Sequence, residues 1–447
     1  MKNKHNHVNS SSPVFSTTIT SLSHDGRGIA ISPNGKTIFI EGALLNETVS
    51  YRVIKKFKNY SEGQVVEIIT PSSDRVTPEC IHYDVCGGCS MQHISMPEQI
   101  RFKQKVLLEH LQHFGKVKAE IILPPISENS WGYRRKARLG VRYLEKQNKI
   151  IIGFRKKASQ TLAELKSCLI LHKSVGLQFN EIVKLLESLS VREHIPQIEV
   201  AIGDHASALI FRHLKDLAPD DIIKCREFGK KLQLDIYSHP NSPATIEKIW
   251  LEDKNQQLSY MLPDYQLEML FHPQDFTQVN GEVNPLMIKQ ALALLDLQAE
   301  DVVLDLFCGL GNFTLPIARH AKSVTGVEGS MEIVNRAKHN AQHNNISNTE
   351  FYAANLAEVP STKPGWMKKH YDKILLDPPR TGAKEIIGLF PKFSAKRIVY
   401  VSCNTATLAR DAGELVHKQG YTLTQCGIIN MFPHTSHIEA MALFEKT

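Results

Sequence analysis

Residues 302–313, Val-Val-Leu-Asp-Leu-Phe-Cys-Gly-Leu-Gly-Asn-Phe, are the most informative about the fold of this chain. An apolar run of strand character, Val302–Phe307, leads into a glycine turn and then into a helical pattern. Such a turn lets the backbone approach a ligand closely at the carboxyl edge of a sheet. The glycines alone are weak evidence, because Thr314 stands where the dinucleotide fingerprint has its third glycine.

Four further apolar runs follow this stretch, and helical patterns separate most of them. They are Ser323–Glu328, Glu350–Ala354, Tyr371–Asp377 and Arg397–Ser402. Alternating strands and helices of this kind predict an α/β domain with a doubly wound sheet. Its strands should deliver Glu328, Asn355 and Asp377 to the edge that carries the glycine turn.

The ligand that this edge favours is an adenosine derivative without a pyrophosphate. Glu328 could accept hydrogen bonds from ribose hydroxyls, and S-adenosylmethionine fits the set of polar groups best. The alternative is that these residues only form turns and cap helices.

Composition limits the class of protein. The chain has 447 residues, 42% of them hydrophobic and 22% charged, which is ordinary for a soluble protein of two to four domains. The polar segment Met1–Pro13 does not resemble a secretory signal, and no run of about 18 apolar residues predicts a membrane span. We therefore expect a cytoplasmic protein without a membrane partner.

The net charge of +7 is concentrated in one segment, Trp131–Lys157, which has a single acidic residue, Glu145. Its basic residues are Arg134, Arg135, Lys136, Arg138, Arg142, Lys146, Lys149, Arg155, Lys156 and Lys157. Alternation around Arg138 and Arg142 predicts a strand with one basic face and one buried face. Interleaved aromatic residues favour a nucleic-acid surface over an ordinary solvated hairpin.

The remaining patterns predict four parts of the chain. Residues 1–14 are expected to form a disordered tail. Five short β-type runs, 17–19, 28–31, 37–40, 48–54 and 64–69, predict a small closed β-barrel over residues 15–72. An α+β region with an amphipathic helix at about Pro97–Phe114 spans residues 73–270, and the α/β domain spans 271–447.

Cys403 is the strongest candidate for catalysis, because it follows the apolar run Arg397–Ser402 at the expected ligand edge. The alternative is a buried structural thiol. A thiolate is useful when the acceptor carbon is a poor nucleophile, as C5 of a pyrimidine is: addition at C6 activates C5 toward a methyl donor. The C5 proton must then leave, and Glu439 is the predicted base, with His437 as an assistant or a positioning group. The target base must be single-stranded or flipped out.

Three cysteines lie close together, Cys80, Cys86 and Cys89, and Cys168 is the best-placed fourth. Disulfides are disfavoured in a cytosolic chain. Three clustered thiols and one remote thiol suit a [4Fe-4S] cluster better than zinc, which usually has two close pairs. Spacing alone leaves zinc open.

The chain resembles bacterial 23S ribosomal RNA uracil-5-methyltransferases that have an N-terminal TRAM domain and an iron–sulphur cluster. The matching stretches are Cys80–His93, Tyr133–Leu139, Phe276–Asn280, Asp305–Phe313, Asp377–Arg380, Ser402–Asp411 and Phe432–Glu439. The resemblance implies a Rossmann-like class I methyltransferase domain, an OB-like TRAM barrel and a central domain carrying the cluster. It also implies 23S ribosomal RNA as partner, with a target of the uracil 1939 type, and we expect a monomer.

The resemblance assigns roles to individual residues. It implies Cys403 as nucleophile and Glu439 as base. It implies S-adenosylmethionine contacts by Gln278, Phe307, Asn312, Glu328, Asn355 and Asp377. It implies a [4Fe-4S] cluster held by Cys80, Cys86, Cys89 and Cys168.

Two departures from the family pattern are Thr405, where proline is usual, and Ser436, where glycine is common. The first could loosen the turn behind Cys403, because proline fixes φ. Three other functions are weighed against this one: an RNA cytosine-5 methyltransferase, a non-catalytic iron–sulphur RNA-binding module, and an adenine-N6 methyltransferase that uses Asp377-Pro378-Pro379 alone.

Overall fold

A computed structural model describes residues 13–240, 246–251, 257–358 and 364–446. The chain forms two compact units. The first contains the residues up to Tyr83, Cys89–Phe102 and His434–Ser436, and the second contains Asp84–Gly88, Lys103–Pro433 and the residues from His437 onward. Of the expected tail, only Pro13 and Val14 lie within the described residues, and Val14 already begins a strand.

The first unit contains a six-stranded sheet. Its strands are β1 (Val14–Thr18), β2 (Ser21–Leu22), β3 (Gly28–Ile31), β4 (Thr37–Glu41), β5 (Thr48–Lys56) and β6 (Tyr60–Thr70), in the order β1-β5-β6-β4-β3-β2. Only β4 and β6 pair in parallel; the other neighbours are antiparallel. Alternate residues such as Ile38, Ile40, Val49 and Tyr51 are buried, as one inward face per strand requires. All five predicted runs overlap strands, and the two-residue β2 was not predicted.

A helix and a short strand come next in the chain. Helix α1 (Met96–His110) ends in a π-helical turn over Leu111–Gly115, and β7 (Ile121–Ile122) follows. The predicted helix over Pro97–Phe114 therefore has the right position, but its last residues are wound more widely than an α-helix.

The central part of the second unit is a six-stranded sheet with helices. Its strands are β8 (Lys136–Leu144), β9 (Lys149–Gly153), β10 (Gln197–Ile202), β11 (Ser207–His213), β12 (Asp235–Pro240) and β13 (Glu247–Trp250), in the order β13-β12-β11-β10-β8-β9. Its helices are α2 (Lys173–Gly176), α3 (Phe179–Ser188) and α4 (Pro219–Leu232). A hairpin of β14 (Ser259–Leu262) and β15 (Leu267–Leu270) leads out of it, followed by α5 (Val283–Leu295).

An eight-stranded sheet positions the candidate site. Its elements after α5 are β16 (Val302–Leu306), α6 (Thr314–Ala318), β17 (Ser323–Glu328), α7 (Met331–His343), β18 (Thr349–Ala353), β19 (Lys373–Leu376), α8 (Lys384–Ile387), β20 (Arg397–Ser402), α9 (Thr405–Gln419), β21 (Thr422–Ile429) and β22 (Glu439–Glu445). The strand order is β18-β17-β16-β19-β20-β22-β21-β7.

The first five strands of this order are parallel, which confirms the predicted α/β sheet. Their order reverses between β16 and β19, and open α/β sheets bind ligands at such a switch point. Strand β22 runs antiparallel to both β20 and β21, and this insertion was not predicted.

No helix among the described residues is long and apolar enough to span a bilayer. The predicted domain boundaries at residues 15, 73 and 271 remain predictions.

Candidate active site

The parallel strands end where the sequence predicted polar groups. Phe307 follows β16, Glu328 ends β17, Asp377 follows β19 and Cys403 follows β20. Asn355 lies two residues beyond β18. Because the carboxyl ends of parallel strands share one edge, the structure collects these five residues along it.

The glycine turn after β16 has an unusual backbone. Phe307, Gly309 and Gly311 all have positive φ, at 62°, 54° and 92°. Phe307 differs from the two glycines, because a residue with a side chain is strained at positive φ. A carboxylate oxygen of Glu328 accepts a hydrogen bond from Gly309 N at 3.1 Å, and the other accepts from Gly329 N at 2.6 Å. Glu328 therefore holds the turn in shape from the neighbouring strand.

The side-chain amide of Asn312 is largely occupied by the protein. It exchanges two hydrogen bonds with the amide of Asn284, at 2.9 and 3.0 Å, and it accepts a third from the Tyr260 hydroxyl at 2.8 Å. An amide nitrogen has two protons, and only one of those on Asn312 is used here. Asn312 thus ties the glycine turn to α5 and β14 and keeps one donor for a ligand.

The ligand edge is rich in buried carboxyl groups. Burial raises the pKa of Asp377 and, together with the charge of Asp377, that of Glu439. Burial, and then the charges of Asp377 and Glu328, raise the pKa of Asp305 to about 7, against the opposing hydrogen bond from the Thr314 hydroxyl. One carboxylate oxygen of Asp305 is buried without a hydrogen-bond partner in the described chain. Such a site has a deficit of positive charge.

Gln278 joins this edge from the loop between β15 and α5. Its side-chain nitrogen donates to a carboxylate oxygen of Asp377 at 3.3 Å. The loop position gives no strand or helix pattern, so only the motif Phe276–Asn280 identified this residue in the sequence.

Cys403 lies beside Glu439 because β20 pairs with β22. The last registered pair of these antiparallel strands is Ser402 with Ala440, so the next residues in register are Cys403 and Glu439. Burial, followed by the charges of Glu439 and Asp377, raises the pKa of Cys403 to about 11, while Arg380 acts in the opposite direction. The thiol is poorly ionised at neutral pH until a positive charge arrives.

The turn that contains Cys403 is fixed from both sides. The Ser402 hydroxyl accepts a hydrogen bond from Asn404 N at 3.1 Å. Asn404 caps α9 by accepting from Ala406 N at 3.1 Å, and its amide nitrogen donates to the carbonyl of Arg380 at 3.0 Å. Asn404 is a strongly preferred N-cap residue, so the sequence itself starts α9 directly behind the thiol.

His437 lies next to Arg380 and Phe432. Its Nδ1 is 3.5 Å from the guanidinium of Arg380, and its ring packs edge-on against Phe432 with centroids 5.6 Å apart. Burial and then the charges of Arg380, Lys103 and Arg134 lower its pKa, so the imidazole is neutral at physiological pH.

Lys103 was missed in the sequence. It is fully buried, and its Nζ donates to Asn430 Oδ1 at 2.8 Å and to the carbonyl of Phe432 at 2.9 Å. Burial lowers its pKa to about 7. Its position on α1 among the buried residues Phe102, Val106 and Leu107 was a usable signal, because a lysine on an apolar helix face must have partners.

The four cysteines of the predicted cluster all lie outside helices and strands. Cys168 is buried, and Cys80, Cys86 and Cys89 are partly exposed. In the described parts of the chain, no three His, Cys, Asp or Glu side chains form a possible metal site, and the cysteines form no disulfide. Gly88 N donates to Cys86 Sγ at 3.4 Å. The cluster stays a prediction.

The basic strand has the alternation that was predicted. On β8, Ala137, Leu139 and Val141 are buried, whereas Arg138 and Arg142 are exposed. Several other basic residues of the segment are already engaged by the protein, among them Lys149, which pairs with Glu164. Arg135 pairs with Asp204, and Lys136 donates to the carbonyl of Pro273 while burial lowers its pKa to about 8.

Arg380 is expected to control how easily Cys403 ionises. Arg380→Ala removes the cation that lowers the pKa of Cys403, so the thiol should react more slowly with iodoacetamide at pH 8. In both proteins the rate should rise about tenfold per pH unit between 7 and 9, because the thiolate fraction does so below the pKa. Peptide mass spectrometry of Cys403 measures the rate, with Arg142→Ala as control. An unchanged rate in Arg380→Ala would show that Arg380 does not act on the thiol.

Comparison with known proteins shows the family to which this chain belongs. The sequence profile of the family described as tRNA (Uracil-5-)-methyltransferase matches residues 96–447. The 23S rRNA (uracil(1939)-C(5))-methyltransferase RlmD of Hahella chejuensis is 51% identical over 432 residues, 96% of this chain and 96% of that protein. The protein of the same name from Legionella pneumophila is 46% identical over 429 residues, again 96% of each chain.

A solved structure shares the fold. The tRNA (uracil-54, C5)-methyltransferase of Pyrococcus abyssi, in complex with S-adenosyl-L-homocysteine, superposes with a TM-score of 0.73 at 23% identity. The match covers 96% of this chain and 99% of that chain, so the likeness of fold extends over nearly all of both.

Proposed function

The chain belongs to the tRNA (uracil-5-)-methyltransferase family, and on that basis we propose that it transfers a methyl group from S-adenosylmethionine to C5 of a uridine in 23S ribosomal RNA. The relatives that cover nearly its full length are named for uracil 1939, and we propose a target of that type. The observation that carries the proposal is the pairing of β20 with β22, which makes Cys403 and Glu439 neighbours beside Asp377.

The residues at the ligand edge suit S-adenosylmethionine. When bound, this donor supplies an electrophilic methyl group on a positively charged sulfonium. The positive charge of the sulfonium would be stabilised by the buried carboxyl groups, including the oxygen of Asp305 that has no hydrogen-bond partner among the described residues. We propose that the contacting residues are Gln278, Phe307, Asn312, Glu328, Asn355 and Asp377.

The reaction that we propose begins at Cys403. Its thiolate forms a bond to C6 of the uracil, and the electrons of the C5–C6 double bond move toward C5 and the C4 carbonyl. C5 then attacks the methyl group, and the donor leaves as a neutral thioether. The Glu439 carboxylate removes the C5 proton, the C5–C6 double bond re-forms, and the Cys403 thiolate is expelled.

The partner surface that we propose is the exposed face of β8. Arg138 and Arg142 project from it, and Arg134 packs over the ring of Phe154 at 5.6 Å. Guanidinium groups next to aromatic rings suit a phosphate backbone with unstacked bases. An rRNA substrate implies a cytoplasmic location.

Release of tritium from C5 tests the function. A 23S rRNA fragment labelled with [5-³H]uridine should release tritium to water with the same stoichiometry as methyl transfer, because the C5 proton is lost in each turnover. A fragment with cytidine at the target position is the control for base identity. Methyl transfer without tritium release would move the reaction to a nitrogen or to ribose and overturn the proposal.

We also propose that Cys80, Cys86, Cys89 and Cys168 hold a [4Fe-4S] cluster. The four thiols and the family resemblance support it, as does the amide of Gly88 that donates to Cys86 Sγ, since hydrogen bonds to sulfur are usual around such clusters. A TRAM domain over residues 15–72 belongs to the same proposal.

Anaerobic purification tests the cluster. Wild-type protein should contain about four iron and four sulfide ions per chain. Cys86→Ser should lose them, and it should weaken RNA binding or lower the melting temperature without slowing tritium release at saturating RNA. Cys225→Ser, which removes a buried thiol on α4, should keep the iron. Zinc in place of iron, or wild-type iron content in Cys86→Ser, would refute the assignment.

A further inference from the structure

The end of α1 contacts the start of α9 directly behind the proposed nucleophile. His110 Nδ1 lies 2.8 Å from Thr405 Oγ1. Thr405 is the first residue of α9, two residues after Cys403, and it is only 4% exposed. The hydroxyl of Thr405 is thus held inside the protein by a residue from a distant part of the chain.

Thr405 occupies a helix position where proline is favoured. It follows the N-cap Asn404, whose φ of −146° and ψ of 100° are extended, as the residue before a proline would be. Proline would fix φ at this position by itself. Threonine does not fix φ, and here its hydroxyl makes the contact with His110 instead.

The π-helical turn after His110 packs directly against α9. A methyl group at Gly115 would lie 2.4 Å from the carbonyl oxygen of Ala409, so the two backbones already touch. The carbonyl of Gly115 also lies 3.0 Å from His417 Nε2. These contacts hold the residues that follow His110 against α9.

Two helical turns earlier, the same helix holds the segment that precedes the proposed base. Lys103 Nζ donates to Asn430 Oδ1 and to the carbonyl of Phe432, and β22 begins at Glu439 shortly afterwards. Residues seven apart lie on one face of a helix, so Lys103 and His110 project from the same side of α1. A methionine could fill the volume of Lys103, but it could not make these bonds.

We propose that the Lys103–His110 part of α1 is a positioning element that sets Cys403 and Glu439 relative to each other. His110 restrains the turn of Cys403 through Thr405, and Lys103 restrains the strand of Glu439 through Asn430 and Phe432. The proposal rests on the proposed function for its two steps, addition of the thiolate and removal of the proton. It adds two residues that act through Thr405, Asn430 and Phe432.

The two ends of α1 should affect different steps. Thr405→Val and His110→Ala should each slow formation of the covalent protein–RNA adduct by about tenfold, with an unchanged Kd for RNA. Lys103→Met and Asn430→Ala should leave adduct formation near normal and slow its breakdown by a similar factor. Rapid-quench kinetics with a 23S fragment and S-adenosylmethionine separates the two steps. His113→Ala, an exposed residue of the π-helical turn, is the control.

Restoring proline at position 405 distinguishes a positioning role of His110 from a general effect on the stability of the protein. In the Thr405→Pro background, His110→Ala should slow adduct formation by less than about twofold, because proline restrains the turn without help from His110. The proposal would be overturned if His110→Ala slowed adduct formation equally in the wild-type and Thr405→Pro backgrounds. It would also be overturned if the four single variants of the preceding paragraph slowed adduct formation and adduct breakdown to the same extent.

A second readout needs neither RNA nor donor. The rate of iodoacetamide alkylation at Cys403 should change in His110→Ala and Thr405→Val and return toward wild type in the doubly substituted Thr405→Pro, His110→Ala protein. If wild-type protein forms no adduct but alkylation follows this pattern, the proposed function fails and the positioning role of His110 stands. If alkylation is the same in all of these proteins, the positioning role fails.

Discussion

Cys403→Ala is expected to abolish methyl transfer, lowering the rate by at least about 10⁴-fold. Without the thiolate, C6 of the target has no nucleophile and C5 is not activated. Cys308 and Cys426, the other thiols between residues 271 and 447, are buried, whereas Cys403 is partly exposed, so neither of them is expected to replace it. Single-turnover transfer of labelled methyl groups to a 23S rRNA fragment measures the loss.

The matched control is Cys426→Ala on β21, which is separated from β20 by β22 and contributes a buried thiol to the same sheet. It should lower stability by about 1 kcal/mol and keep most of the activity. A trap makes the test direct. RNA with 5-fluorouridine at the target should form a methylated protein–RNA adduct with wild-type protein, because fluorine cannot leave as a proton does, and none with Cys403→Ala. An active Cys403→Ala protein would favour an exocyclic acceptor such as adenine N6.

Glu439→Gln is expected to stall the enzyme after methyl transfer and to accumulate the covalent adduct with unmodified RNA. Addition of the Cys403 thiolate does not need the carboxylate, and loss of that negative charge should ease ionisation of the thiol. Proton removal from C5 does need a base, so breakdown of the adduct should slow by about 10²–10⁴-fold. Denaturing electrophoresis and intact mass of the complex measure both.

The best control for this change lies on the same strand. Glu445→Gln, at the far end of β22, removes a carboxylate that is partly exposed and paired with Arg397. It should cost about 1 kcal/mol or less of stability and leave the adduct short-lived. Free, fully methylated RNA released at the wild-type rate by Glu439→Gln would assign the base to another residue.

The raised pKa of Glu439 gives a further expectation for the same variant. Its folded pKa lies above the unfolded value of 4.5, so the folded protein binds the proton more tightly. The contribution of this carboxyl to stability is therefore present at low pH and is lost as the pH rises through the folded pKa. Glu439→Gln cannot ionise, so its melting temperature relative to wild type should rise between about pH 5 and pH 8. The rate of adduct breakdown in the wild-type protein should instead decrease at pH values below the folded pKa of Glu439, because the base is then protonated.

The parallel part of the catalytic sheet was predictable from local patterns. Strands such as β16 and β20 are buried on both faces, so their sequences are mostly apolar, and Asp305 is the one charged residue inside β16. The turn after β16 and the cap at Asn404 are also local, because the backbone there needs glycine or a short polar side chain.

The antiparallel strands of that sheet were not predictable in the same way. The pairing of β22 between β20 and β21 depends on contacts distant in the sequence, and no short pattern encodes the register of Ser402 with Ala440. Glu439 was selected as a base from its motif and its chemistry. Its position next to Cys403 is a property of that register.

Local sequence was therefore enough to predict candidate groups for the chemistry and the approximate limits of the parallel strands that deliver them, because turns, caps and two-sided burial depend on neighbouring residues. The packed chain was needed for everything that surrounds those groups: the pairing of Cys403 with Glu439, the burial that shifts the pKa values, and the reach of Lys103 and His110 from α1. Desolvation and long-range pairing depend on residues far apart in the sequence, so no local pattern contains them.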